Sequence, residues 1–269
     1  MILSKSVILT RPDGSNGSLE KKIKKIGINA YSIPLISIVP LEKFDDVFLP
    51  SNYDLVIFVS GNAVRLYLKE VFDKKKISIW PSNSIVAAVG PATAKVFMSS
   101  RYIIPDIDTL KVLFPNEFGS LYDSESLLLL LKQNYSLLRK RILVVRGISG
   151  RNWLIDKLKE LGCVVEICPI YLRKKELLLQ GQLSIISKLY SDSREITWVF
   201  TSNEIVSSFF LNLKHFHHND FFEKSSFIVI HYKIKDFLES CLLGIGFTNC
   251  NIKVCEPTEE SIFFAITSD

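Results

Sequence analysis

Lys5-Ser6-Val7-Ile8-Leu9-Thr10-Arg11 returns 135 residues later as Lys140-Arg141-Ile142-Leu143-Val144-Val145-Arg146, and the spacing holds beyond the match. Leu19 and Leu154, Ile23 and Leu158, Gly27 and Gly162, and Pro34 and Pro169 keep the same separation. Each copy is an apolar run, a Gly-containing turn and a stretch with apolar residues at i, i+4 and i+7 that ends in Gly. That order predicts a strand, a loop, an amphipathic helix and its C-cap. A second apolar run follows in each copy, Ala30 to Ile33 and Val164 to Ile167, completing a βαβ unit.

The next element repeats too. Val56 to Val64 matches Trp198 to Val206 at a separation of 142, and Val86 to Gly90 parallels Phe227 to His231 at 141. Continuous apolar runs alternating with helical patterns imply parallel strands buried on both faces and joined by right-handed crossovers. Leu35 to Pro40, alternating and bounded by prolines, and Ile170 to Arg173, which follows Pro169, lie at equivalent points of the copies, where proline disfavours helix. They are expected to be linker strands between two similar α/β lobes, with a cleft beside them.

The 269 residues are 48% hydrophobic and 23% charged, enough for two cores and incompatible with a disordered chain. The 33 basic and 28 acidic residues leave a formal charge of +5, which suits a small organic anion and does not call for nucleic acid. The longest apolar run, Leu127 to Leu131, is too short to cross a bilayer. The N-terminus passes from Met1-Ile2-Leu3-Ser4-Lys5 straight into a strand-like run, so no export signal is expected, and five cysteines without CxxC spacing suit a reducing cytoplasm.

Open parallel sheets bind ligands beyond the carboxyl ends of their strands. Arg146-Gly147-Ile148-Ser149-Gly150-Arg151 stands there, with glycines that let a ligand approach, a following helix start that attracts anions, and forked donors on Arg146 and Arg151. The same residues also fit a tight turn whose arginines pair with surface acids. Ser60, Thr93 and Ser202 each stand between an apolar strand and a helical pattern, where a hydroxyl caps the helix or reaches a ligand. Tyr171, after Pro169 on the second linker, is expected to overhang the cleft, either as a proton donor to a leaving oxygen or as an interfacial aromatic. Asp123 to Ser126 reads as a helix start, His215, His217 and His218 as a polar loop, and Gly244-Ile245-Gly246 as too incomplete for a dinucleotide fingerprint.

In order and spacing these landmarks resemble the uroporphyrinogen-III synthase family. They are Val7 to Pro12, Phe58 to Val64, Val89 to Ala94, Arg146 to Arg151 with the helix after it, Tyr171-Leu172-Arg173 and Phe200-Thr201-Ser202. The resemblance spans nearly the whole chain. It implies an α/β fold of two parallel-sheet, flavodoxin-like lobes joined by two linker strands. One lobe is discontinuous (residues 1–36 with 174–269) and the other holds residues 37–173, with linkers near 35–40 and 168–173. It implies the small-molecule substrate hydroxymethylbilane, no cofactor or metal, no nucleic acid or membrane, and a cytoplasmic monomer in transient contact with the preceding enzyme of its pathway. By position Tyr171 matches the family tyrosine suspected of assisting hydroxyl departure, while Arg11, Ser60, Thr93, Arg146, Gly150, Arg151 and Ser202 fall at substrate-binding positions. Where many relatives repeat the Gly/Thr/Ala turn of Val89 to Ala94, this chain departs from the pattern and reads Ile230-His231-Tyr232-Lys233. The rival reading is a non-catalytic two-lobed binder of an organic anion closing on a hinge.

Overall fold

The computed structural model describes residues 5–74, 76–115, 124–192, 195–213, 219–248 and 250–268. The chain divides into two compact units, residues 1–37 with 174–269 and residues 38–173. In chain order, β1 (Ser6–Leu9), α1 (Gly17–Lys25) and β2 (Asn29–Ser32) begin the first unit, and β3 (Ile36–Pro40) leaves it. The second unit holds β4 (Leu55–Phe58), α2 (Gly61–Leu68), β5 (Ile85–Ala88), α3 (Pro91–Met98), β6 (Val112–Leu113) and α4 (Ser124–Asn134), then β7 (Arg141–Gly147), α5 (Trp153–Glu160) and most of β8 (Val164–Lys175). The first unit is completed by α6 (Gln180–Ser191), β9 (Ile196–Phe200), α7 (Asn203–Asn212), α8 (Asn219–Glu223), β10 (Ser225–Val229), α9 (Tyr232–Gly244), β11 (Asn251–Val254) and α10 (Glu259–Thr267).

The first unit's sheet runs β2-β1-β9-β10-β11, every pairing parallel. Counted along the chain this is the order 2-1-3-4-5 of a doubly wound fold. All residues of β1 and β9 are buried, as strands covered on both faces must be. Period-two alternation sends Ile8, Trp198 and Phe200 into a core with α7 and α9, and Val7, Leu9 and Val199 into one with Leu19 and Ile23 of α1 and Ile262 of α10.

The second unit runs β8-β7-β4-β5-β6, again parallel, with β3 added beside β8. Val56, Phe58, Leu143 and Val145 pack against α2 and α3, with Phe58 meeting Tyr67 and Phe97 at centroid distances of 5.5 and 5.7 Å. Leu55, Ile57, Ile142 and Val144 face α4 and α5 on the other side. Leu127, Leu128 and Leu131 of the all-leucine run are buried there, which is how an apolar stretch too short for a membrane is used. Among the described residues no helix is long and apolar enough to cross one.

The spatial order of the two sheets matches strand for strand, with β8, β7, β4, β5 and β6 answering β2, β1, β9, β10 and β11. The second unit is therefore a circular permutation of the first. Each sequence copy is divided: β1 and β2 from the first copy complete the sheet of β9 to β11 from the second, while β7 and β8 complete that of β4 to β6. β3 and β8 pair where the chain passes between units, with Leu41 N–H donating to Ile170 O and Glu176 N–H to Leu35 O, each at 3.0 Å. In the first unit Asn212, 1% exposed, pins the returning chain. Its Oδ1 accepts from Leu178 N–H at 2.8 Å and its Nδ2 donates to Glu176 O at 2.9 Å.

The five cysteines are free thiols, and burial holds each above its ordinary value. Cys168, enclosed in the core of the second unit with Glu70 nearby, is pushed up to about 12. The phenols of Tyr53, Tyr67 and Tyr190 are raised as well, mainly by burial. Unfolding releases these groups, so the unfolded chain loses protons above about pH 9 that the native chain retains, and stability falls as pH rises. The urea midpoint should decline steadily from pH 8.5 to about pH 11, and Cys168→Ala should flatten part of that slope. A midpoint constant over this range would contradict the burial of these groups.

Candidate functional site

In a doubly wound sheet the ligand crevice lies where strand order reverses, outside the carboxyl ends of the two strands there. In the second unit these are β7 and β4, which end at Arg146-Gly147 and lead into Ser60. In the first unit they are β1 and β9, leading into Arg11 and Ser202. The sequence-derived candidates thus divide between two rims at corresponding strand ends, with Arg146, Arg151 and Ser60 on the second unit and Arg11 and Ser202 on the first.

Ser60 and Ser202 occupy the same local geometry. Each is the extended residue before a helix, its Oγ accepting from a backbone amide three residues on, Ala63 N–H at 3.1 Å and Ile205 N–H at 3.3 Å. Both are half-buried, so capping does not take them off the rim. Thr93 differs from expectation. Pro91 starts α3 directly after Gly90, which puts Thr93 in the first helical turn, 7% exposed, instead of in the loop.

Arg146 was expected to turn its fork toward a ligand. It is 5% exposed and used within its own loop, donating from Nε to Gly147 O at 3.2 Å and from Nη1 to Arg151 O at 3.2 Å and Asn152 Oδ1 at 2.9 Å. The loop wraps the guanidinium so closely that a Cβ on Gly150 would stand 2.4 Å from Nη2, and Gly150 has φ +150°. Arg151 is exposed and pairs with Glu125 at 2.5 Å beside the Trp153 ring. This matches the tight-turn reading, although Arg146 finds carbonyls and an asparagine in place of an acid. Asn152 was missed as a partner; its place just before the α5 pattern was the available signal. Asp123, also read as part of a helix start, lies outside the described residues, and α4 begins at Ser124.

Tyr171 was expected to overhang a cleft, and its side chain is instead enclosed within its own unit. It is 3% exposed and packs with Cys168 and Ile170 in the core of the second unit. The cause is a bulge: Arg146 pairs with Pro169 but Gly147 pairs with Tyr171, skipping Ile170. Pro169 brings no N–H to the ladder, and the extra residue turns Tyr171 to the same face as Ile170, where simple alternation would have put it on the other. The ring then lies over Gly147, whose missing side chain makes room: a Cβ there would be 2.8 Å from Cε2. Across this gap the Tyr171 phenol reaches the Ser60 hydroxyl, at 3.1 Å. Gly147 is the residue whose importance the sequence concealed, because it stood among several loop glycines.

The first-unit rim is built differently. Burial draws the Arg11 guanidinium down from its ordinary value, and Glu259 and Cys255 oppose that shift. Buried Asn16 donates to Arg11 O at 3.1 Å and Ser32 Oγ at 2.8 Å, closing the turn after β1. His231 stands where the second unit has Gly90 and caps α9, its Nδ1 accepting from Lys233 N–H at 3.0 Å. Lys235 pairs with Glu239 at 3.6 Å. Gly244 and Gly246 mark the end of α9 and not a nucleotide loop. His215, His217 and His218 lie outside the described residues. Among those described, no three His, Cys, Asp or Glu side chains come together to hold a metal.

Comparison with known proteins adds to this geometry. A family model described as uroporphyrinogen-III synthase HemD matches residues 17–246. The uroporphyrinogen-III synthase of Proteus mirabilis is 27% identical over 172 residues, covering 62% of this chain and 80% of the relative. That of Escherichia coli K12 is 25% identical over the same length, covering 62% and 65%. The crystal structure of uroporphyrinogen-III synthetase from Helicobacter pylori 26695 aligns over 95% of both chains with a TM-score of 0.56 at 17% identity, a likeness of fold.

Gly150→Ala should lower stability by about 1–3 kcal/mol, because the new methyl forces the loop off Arg146 and strains the backbone. Thermal unfolding measures this. An unchanged Tm would mean that the guanidinium is not held as described.

Proposed function

The chain belongs to the uroporphyrinogen-III synthase family, lyases of haem biosynthesis, and on that premise we propose that it closes hydroxymethylbilane to uroporphyrinogen III with inversion of ring D. The linear tetrapyrrole carries eight carboxylates and loses its terminal hydroxyl as water, leaving an azafulvene. The substituted α-carbon of ring D attacks that carbon to give a spiro intermediate, which reopens and closes through the free α-carbon. The proton given to the departing hydroxyl is balanced by the one that the free α-carbon releases at closure.

The same substrate closes in water without inversion, so the protein's task is to choose which carbon attacks as well as to help the hydroxyl leave. Tyr171 is the proposed proton source. The observation that carries this is its hydroxyl contact with Ser60 at the switch-point crevice of β7 and β4. Ser60, Thr93, Gly150 and Arg151 on the second unit, and Arg11 and Ser202 on the first, are proposed substrate contacts. The positive ends of the helices that start beside them suit carboxylates without any covalent nucleophile. Arg146 acts by holding the shape of the 147–152 loop. The free thiols support a cytoplasmic site of action, and we assign the working form as a monomer.

Purified protein supplied with freshly generated hydroxymethylbilane should yield the type III isomer, resolved from type I by chromatography. A type I to type III ratio equal to that in buffer would refute the proposal and leave an anion-binding protein. Tyr171→Phe should retain the fold and lower kcat for type III formation by about 10²-fold or more. Unchanged turnover would remove the phenol from the chemistry.

A further inference from the structure

Tyr171 is the proposed acid, yet it is 3% exposed, whereas Ser60 beside it is half-buried and stands at the crevice. A buried hydroxyl must place its proton on an acceptor. For the Tyr171 phenol the Ser60 Oγ, at 3.1 Å, is the hydrogen-bond partner found among the described residues. A serine hydroxyl offers two lone pairs and one proton. Either hydroxyl can donate in the Ser60–Tyr171 bond; with the phenol donating, one serine lone pair takes Ala63 N–H at 3.1 Å, the other takes the Tyr171 proton, and the serine's own O–H is available to a substrate oxygen.

Resting on the function proposed above, we infer that Ser60 is the catalytic group that touches the leaving hydroxyl, and that the Tyr171 proton reaches substrate through it. As the substrate C–O bond breaks, the Ser60 O–H bond breaks and its proton passes to the departing oxygen, which leaves as water. The Tyr171 O–H bond breaks in turn and its proton restores the serine, leaving a phenolate. At closure the proton released by the free α-carbon of ring D returns along the same path. Ser60 Oγ keeps its bond from Ala63 N–H throughout, so the start of α2 stays capped and its dipole faces the forming negative charge. Gly147 is a positioning residue in this scheme, since any side chain there would displace the ring that bridges β8 to the β4 end.

The test is steady-state turnover of the full chain with hydroxymethylbilane in light and heavy water, reading isomer ratio and rate. Ser60→Asn keeps a helix cap and removes the hydroxyl, which separates chemistry from folding. It should lower kcat about as far as Tyr171→Phe, roughly 10²-fold, with KM little changed, and the double variant should be no slower than the worse single one. Ser60→Thr should recover most of what Ser60→Asn loses. The wild-type proton inventory should be curved, as two protons in flight require, and Gly147→Ala should reduce kcat with both hydroxyls present. Wild-type turnover in Ser60→Asn, multiplicative losses in the double variant, or a linear inventory would each overturn the relay while inversion by the wild type left the function standing. Failure of the wild type to invert ring D would refute the function itself.

Discussion

A parallel strand has no face it can leave to water, and that constraint organises both units. Ser6–Leu9 and Ile196–Phe200, central in their sheet, are buried along their whole length and must be covered above and below, so that sheet needs helices on both sides. A βαβ piece cannot cover itself. β1-α1-β2 offers Val7, Leu9 and Leu19 on one side and Ile8 on the other; the first surface is completed by Val199, Ile228 and Ile262, and the second by residues from Leu178 onward. The duplicated copies therefore do not fold one per unit. Each gives a βαβ piece to one sheet and the remaining strands to the other, and β3 and β8 carry the chain across.

The same architecture sets where chemistry occurs. Reversal of strand order at β7 and β4 opens the crevice, and local irregularities around it determine what faces in. Pro169 and the bulge beside it turn Tyr171 onto the Ile170 face, Gly147 leaves the ring a path, and the cap of α2 holds Ser60 at the end of that path. None of these features is strong alone. Together they join a buried phenol to a half-buried hydroxyl by one hydrogen bond. The neighbouring loop is held by an arginine that spends its donors on Gly147 O, Arg151 O and Asn152 Oδ1.

How much of the site could be read in advance varied with how local its cause was. Ser60 and Ser202 were legible as residues between strand and helix because apolar runs and helical periodicity bracket them. Thr93 was placed too early because Pro91 begins its helix at once. Arg146 stayed between an outward fork and a tight turn, since sequence cannot tell that a loop will fold back on its own guanidinium. Tyr171 was expected to overhang a cleft. Alternation along an undisturbed strand would have been the guide, and the bulge is a property of register between β7 and β8, which neither segment carries by itself.

The sequence alone determined the α/β class, the duplication and the positions of the strand ends, because buried parallel strands and amphipathic helices write themselves as periodic apolar patterns. Tertiary structure decided which copy's strands share a sheet, which side of β8 Tyr171 takes, and which loop donors remain free. The reason is that those outcomes depend on pairing and register between separate segments, or on a single missing Cβ, and neither leaves a periodic trace.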